Sequence, residues 1–106
     1  MELWTTITIE CAHTSAALGV PALHGHSYWV QFFAATLVSN PVPLDAMQKA
    51  AEPLRYALDH KNLDTILDEA TMESLAMWCV DHWHGPRLTR LVVRRDSLGC
   101  GVEWRA

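Results

Sequence analysis

Alternation opens the chain. From Leu3 to Cys11 the residues are strand formers, and Ile7, Ile9, Cys11 and His13 fall on one parity. Alternate side chains of a strand share a face, so Cys11 and His13 point the same way if the strand runs that far. Thr14 to Ala22, with Gly19 and Pro21, predicts a loop. A second, long strand is predicted from about Leu23 to about Val38, on the aromatic and β-branched run that begins at Tyr28-Trp29-Val30. Asn40-Pro41-Val42-Pro43 breaks the chain. Beyond it Leu44, Met47, Ala51, Leu54 and Leu58 recur at helical spacing, with Pro53 expected to kink or split the helix. Asp59 to Asp64 reads as a polar break. Thr71-Met-Glu-Ser marks the start of a second helix, whose apolar stripe is Leu75, Ala76, Cys79, Val80 and Trp83, and Gly85-Pro86 ends it. Leu88 to Arg94 and Cys100 to Trp104 read as strands around an Asp96-Ser97-Leu98-Gly99 turn. The order β-β-α-α-β-β predicts an α+β sandwich with both helices on one face of the sheet.

Composition narrows the functions without choosing one. A length of 106 residues fits a single domain, 1–106, and five tryptophans in a half-hydrophobic chain allow a packed core. The formal net charge of -4 argues against nucleic acid and anionic membrane as partners. Three scattered cysteines, Cys11, Cys79 and Cys100, are no disulfide framework. With no secretory leader and no apolar run long enough to span a bilayer, a cytoplasmic protein is expected.

The chemistry centres on Leu23-His24-Gly25-His26-Ser27. Histidines at i and i+2 of a strand share a face, and His13 would add a third imidazole. Three such nitrogens with an open fourth position describe a zinc site that can take a substrate. Two solvent-facing strand histidines and an unrelated third would leave the same pattern. Cys79, His82 and His84 read as the end of an amphipathic helix rather than a second metal site. Lys61, Arg90, Arg94 and Arg95 are candidates to meet phosphate, none preferred.

Four motifs in order then carry a resemblance: Ala12-His13 at a strand end, Leu23-His24-Gly25-His26-Ser27-Tyr28, Leu58-Asp59-His60-x-x-Leu63-Asp64, and Thr71-x-Glu73-x-Leu75-Ala76. Together they resemble the 6-pyruvoyltetrahydropterin synthase and 6-carboxytetrahydropterin synthase family. The resemblance implies the tunnelling fold, a four-stranded antiparallel sheet with two helices on one face, assembled as a homotrimer or homohexamer with active sites at the interfaces. It implies Zn2+ held by His13, His24 and His26, a catalytic Asp59–His60 pair, and a pterin substrate such as 7,8-dihydroneopterin triphosphate. It implies a carboxylate near the C-terminus that grips the pterin. One count places Asp96 there and is preferred, the other places Arg95. Thr71 and Glu73 are expected to line the pocket. The family's catalytic cysteine is replaced by Val20, which puts the usual elimination and rearrangement in doubt. Cys11, by its parity with His13, is the proposed substitute, although a buried core thiol would look the same in sequence; Ser15 is a weaker one. Aldolase-type cleavage of the dihydroneopterin side chain and a non-catalytic zinc- and pterin-binding protein are the alternatives.

Overall fold

In a computed structural model of the chain, residues 1–15 and 20–106 are described, the side chains at 15, 20 and 21 excepted. The side chains of Val20 and Ser15 therefore lie outside the described residues. Strands β1 (Glu2–Ser15) and β2 (Val20–Ala35) form one antiparallel ladder, with Glu2 opposite Ala35 and His13 opposite His24. At about 3.3 Å per residue, sixteen residues reach about 53 Å. The molecule measures 51 Å along its longest axis, so this hairpin sets its length.

The expected loop at Thr14 to Ala22 is corrected at its two ends, its residues 16–19 lying outside the described residues. The ladder runs past His13, shifts register, and pairs Ser15 with Val20. Each strand is extended by its partner's hydrogen bonds, and Pro21 lies within β2 all the same. At the other end β2 stops at Ala35 rather than Val38, one residue before the Thr36 N–H donates to the Met1 carbonyl at 3.0 Å.

Helix α1 (Leu44–Leu58) buries Met47, Ala50, Ala51, Leu54 and Leu58, and it is continuous through Pro53. Pro53 removes the N–H that would reach the Lys49 carbonyl. Both residues are exposed, so water can satisfy that carbonyl, and the helix does not split. Strand β3 (Lys61–Asn62) follows, parallel to β1 at Cys11 and Ala12, and leads into one 3-10 turn at Leu63–Thr65. Helix α2 (Met72–His82) is capped by Thr71, whose hydroxyl accepts from the Ser74 N–H at 3.1 Å. It ends before Gly85-Pro86. Strands β4 (Arg90–Arg95) and β5 (Cys100–Arg105) are joined through a turn in which Gly99 takes φ 62°, a conformation open to glycine.

The sheet is five-stranded and mixed, in the order β3-β1-β2-β4-β5. This corrects the expected four antiparallel strands. Two residues of the polar segment after α1 have too little propensity of their own to read as a strand, and they become one by lying along β1. Parity assigns the faces. Ile7, Ile9, Tyr28, Val30, Phe32, Leu91 and Val93 meet the buried residues of α1 and α2 in one core. Both helices therefore cover the same face. The opposite face carries Trp4, Glu10, Gln31, Arg94 and Glu103.

Candidate metal centre

The helix-covered core ends at Cys11, but β1 and β2 continue. Past that point the buried side chain among the described residues of the hairpin is His13. Alternation keeps His13, His24 and His26 on the core face. Register puts His13 directly opposite His24, and His26 opposite Cys11. The three rings pack mutually, each pair of centroids 4.6 Å apart, and one nitrogen from each lies within 4.8 Å of the others.

The backbone decides which nitrogens are available. His13 Nδ1 lies 2.7 Å from the Ala70 carbonyl, and His24 Nδ1 lies 2.8 Å from the Ala22 carbonyl. A carbonyl only accepts, so each Nδ1 donates and each Nε2 keeps its lone pair. His13 Nε2 is buried and has no hydrogen-bond partner. An orphaned buried acceptor facing two further imidazoles fits a metal ion, and three nitrogens leave a fourth position free. His26 differs. Its Nδ1 is met at 2.6 Å by an Arg95 Nη2, which can only donate. Burial first, then the Arg95 charge and the other two rings, push its pKa down to about 4, so the ring is neutral at pH 7.

A cavity of about 650 Å3 reaches the cluster at His26 alone, and the sheet residues bordering it, Glu10, Gly25 and Ser27, have the parity of the opposite face. Gly25 and Glu10 border it on the sheet, His26 and Arg95 on one side, His60 and Lys61 on the other. A Cβ on Gly25 would come within 3.7 Å of the Cys11 carbonyl, an ordinary contact, so glycine here keeps the wall low without being forced by packing.

His60 reaches this cavity, with Asp59 behind it, through an unusual seam. His60 takes φ 58°, and its N–H donates to the Glu10 carbonyl at 2.6 Å. Asp59 Oδ1 accepts from the Glu10 N–H at 2.9 Å, and Asp64 Oδ2 accepts from the Thr14 N–H at 2.9 Å. With β3 between them, the two carboxylates close the outer edge of β1 from Glu10 to Thr14. Asp59 Oδ2 also stands 3.1 Å from His60 Nδ1. The Glu10 N–H above all, then His60 and Arg55, hold the Asp59 carboxyl below its usual range. The His60 ring itself is exposed.

No protein-family model matches the chain. The structure superposes on 6-pyruvoyl tetrahydropterin synthase of Caenorhabditis elegans with a TM-score of 0.77, covering 100% of this chain and 95% of that one at 14% identity. The chain has the tunnelling fold. In sequence it is similar to a dihydroneopterin monophosphate aldolase of Pyrococcus furiosus, 24% identical over 99 residues, which is 92% of this chain and 87% of the relative.

Within this tunnelling fold the remaining candidates are dispersed. Cys11 is buried in the core, and burial, then the charges of Glu10 and Asp59, push its thiol up to about 12. Thr71 caps α2, and the residue before it, Ala70, orients His13. Glu73 is exposed on the first turn of α2. Asp96 is held by Arg94 in a two-pronged pair at 2.9 and 2.6 Å, outside the histidine cavity. The carboxylate bordering that cavity is Glu10, hydrogen-bonded by the Ser27 hydroxyl at 2.5 Å. Sequence reasoning missed Glu10, since its parity sends it to the face opposite His13. Cys79 is buried, and His82 donates to the Trp78 carbonyl at 2.8 Å while stacking on its ring. Among the described residues a metal-binding cluster forms at His13, His24 and His26 alone. No helix is long and apolar enough to cross a membrane.

Proposed function

We propose that the chain is a zinc-dependent lyase that cleaves the side chain of a phosphorylated dihydroneopterin in the manner of an aldolase. The observation that carries the reading is the histidine trio with its orphaned His13 Nε2, one member of which, His26, borders a cavity that His60 also borders. The similarity to a curated aldolase over most of the chain favours cleavage over triphosphate elimination. So does Val20, which cannot take a proton where the synthase family has cysteine.

Zn2+ held by His13, His24 and His26 would supply a Lewis acid that makes a side-chain hydroxyl more acidic. His60, backed by Asp59, takes the proton from the 2′ hydroxyl. The C1′–C2′ bond breaks, the 2′ carbon leaves as an aldehyde, and the electron pair passes from C1′ into the conjugated C6=N5 imine. A proton returned to C1′ completes a 6-hydroxymethyl-7,8-dihydropterin. Glu10 is the carboxylate we assign to the N–H edge of the pterin, in place of Asp96, which Arg94 already occupies. The strand edges left without partners, the outer sides of β5 and of β1 before β3, support a homo-oligomer that continues the sheet between chains.

Incubating the zinc-loaded protein with 7,8-dihydroneopterin monophosphate and its triphosphate tests the reading. A 6-hydroxymethyl product with a two-carbon phosphorylated aldehyde is expected, with turnover reduced roughly a hundredfold and metal content lost in His24→Ala. Release of inorganic triphosphate would instead assign synthase-type elimination, and tight pterin binding with no product a non-catalytic binding protein.

A further inference from the structure

The arginines fall into two sets. Arg55, Arg90, Arg94 and Arg105 each hold a carboxylate. Arg95, unlike the exposed Arg87 that likewise pairs with no carboxylate among the described residues, is half-buried. Its Nη2 donates to His26 Nδ1 at 2.6 Å, and its guanidinium carbon lies 5.9 Å from the centre of the Tyr28 ring. Its Nε is buried with no partner. Strand parity explains the placement: Leu91, Val93 and Arg95 share the core face, so the strand that contributes two core residues delivers a cation to the histidine cavity.

That bond and metal ligation exclude each other. A neutral imidazole offers one lone pair. While Nδ1 accepts from Arg95, Nε2 carries the proton. If His26 ligates through Nε2, the proton must sit on Nδ1, where it opposes the Arg95 N–H. If it ligates through Nδ1, the guanidinium is displaced outright. Either way Arg95 loses its acceptor when His26 becomes a ligand. A guanidinium has donors only and stays protonated, so it serves neither as base nor as acceptor for the pterin's N–H edge.

We infer that Arg95 is the anion receptor of this site: freed when His26 is ligated, it takes the phosphate ester of the substrate in the cavity it borders. The inference rests on the proposed pterin reading and names the class within it, a phosphomonoester rather than the free alcohol. A planar guanidinium fork matches phosphate oxygens in pairs, and Lys61 across the cavity adds a second positive charge. Metal and anion then reinforce each other's binding, since each removes an obstacle to the other.

Phenyl phosphate, which carries the anion and no pterin, is the first probe. Titrated calorimetrically into zinc-loaded protein, it is expected to bind roughly tenfold tighter to wild type than to Arg95→Gln, with Arg95→Lys recovering part of the difference. Both proteins carry the same metal, so any direct phosphate–zinc bond cancels. In chelator competition Arg95→Gln is expected to hold zinc several-fold tighter than wild type, and phenyl phosphate is expected to raise the zinc affinity of wild type alone. Equal phenyl phosphate binding by wild type and Arg95→Gln would overturn the receptor assignment. Zinc affinity unchanged in Arg95→Gln would overturn the release from His26. Dihydroneopterin and its monophosphate are the second pair of probes, and wild type is expected to prefer the phosphate. If neither pterin binds while the Arg95 dependence of phenyl phosphate persists, the pterin reading fails and the receptor assignment stands.

Discussion

His13 and Cys11 sit two residues apart on one face of one strand, and their surroundings differ completely. Cys11 is enclosed by core, so its thiol stays protonated, whereas His13, equally buried, lies against the His24 and His26 rings. Thiol labelling at pH 7 checks this. One equivalent, Cys100, is expected to react rapidly in the folded protein, Cys11 and Cys79 much more slowly, and all three after denaturation. Cys11 reacting as fast as Cys100 would restore it as a candidate base. Parity alone made the shared face of Cys11, His13, His24 and His26 legible in the sequence. Depth was not legible, because it depends on where the helices stop. The acceptor that orients His13, the Ala70 carbonyl, lies 57 residues away, and the partner of His26 comes from β4. Backbone carbonyls have no residue-specific signature, so no motif could have announced Ala70.

At the scale of elements, the segment from Asp59 to Asp64 changes meaning. Its side chains read as a catalytic motif in a polar break. In the structure they also form the seam along β1, two carboxylates on either side of a two-residue parallel strand. That role matters because each large buried side chain contributes about 1.5–3 kcal/mol, and among the described residues of the hairpin past Cys11 the buried side chain is His13. Asp59 carries a pH signature. Its folded-state pKa is depressed, so its contribution is present above the unfolded carboxylate value and is lost as pH falls through the folded one. Urea midpoints are therefore expected to fall as pH drops below about 4, and less steeply in Asp59→Asn, which keeps an oxygen for the Glu10 N–H but cannot titrate. Parallel slopes in the two proteins would remove Asp59 from the account. Helix periodicity made α1 and α2 legible. Pro53 misled because its helix-breaking effect depends on whether water can reach the Lys49 carbonyl, a property of the packed molecule.

The whole molecule is a 51 Å ribbon with helices over part of one face and open backbone on both outer edges. Trp4 is 54% exposed near the β1 edge, on the face the helices leave bare. Light scattering is expected to give three or six times the 11.9 kDa of one chain, and Trp4→Glu to shift the protein toward the monomer. A single-chain mass at micromolar concentration would rule the assembly out.

The ladder between β1 and β2 has one further consequence. A slip of one residue turns every side chain of a strand to the opposite face. His13 comes from one strand, His24 and His26 from the other, and a slip of one residue would put His13 on the face opposite the other two. A chain that closes one step out of phase cannot assemble the trio. On the proposed metal-dependent reading, ion capture would therefore report the alignment of the hairpin as well as prepare the site.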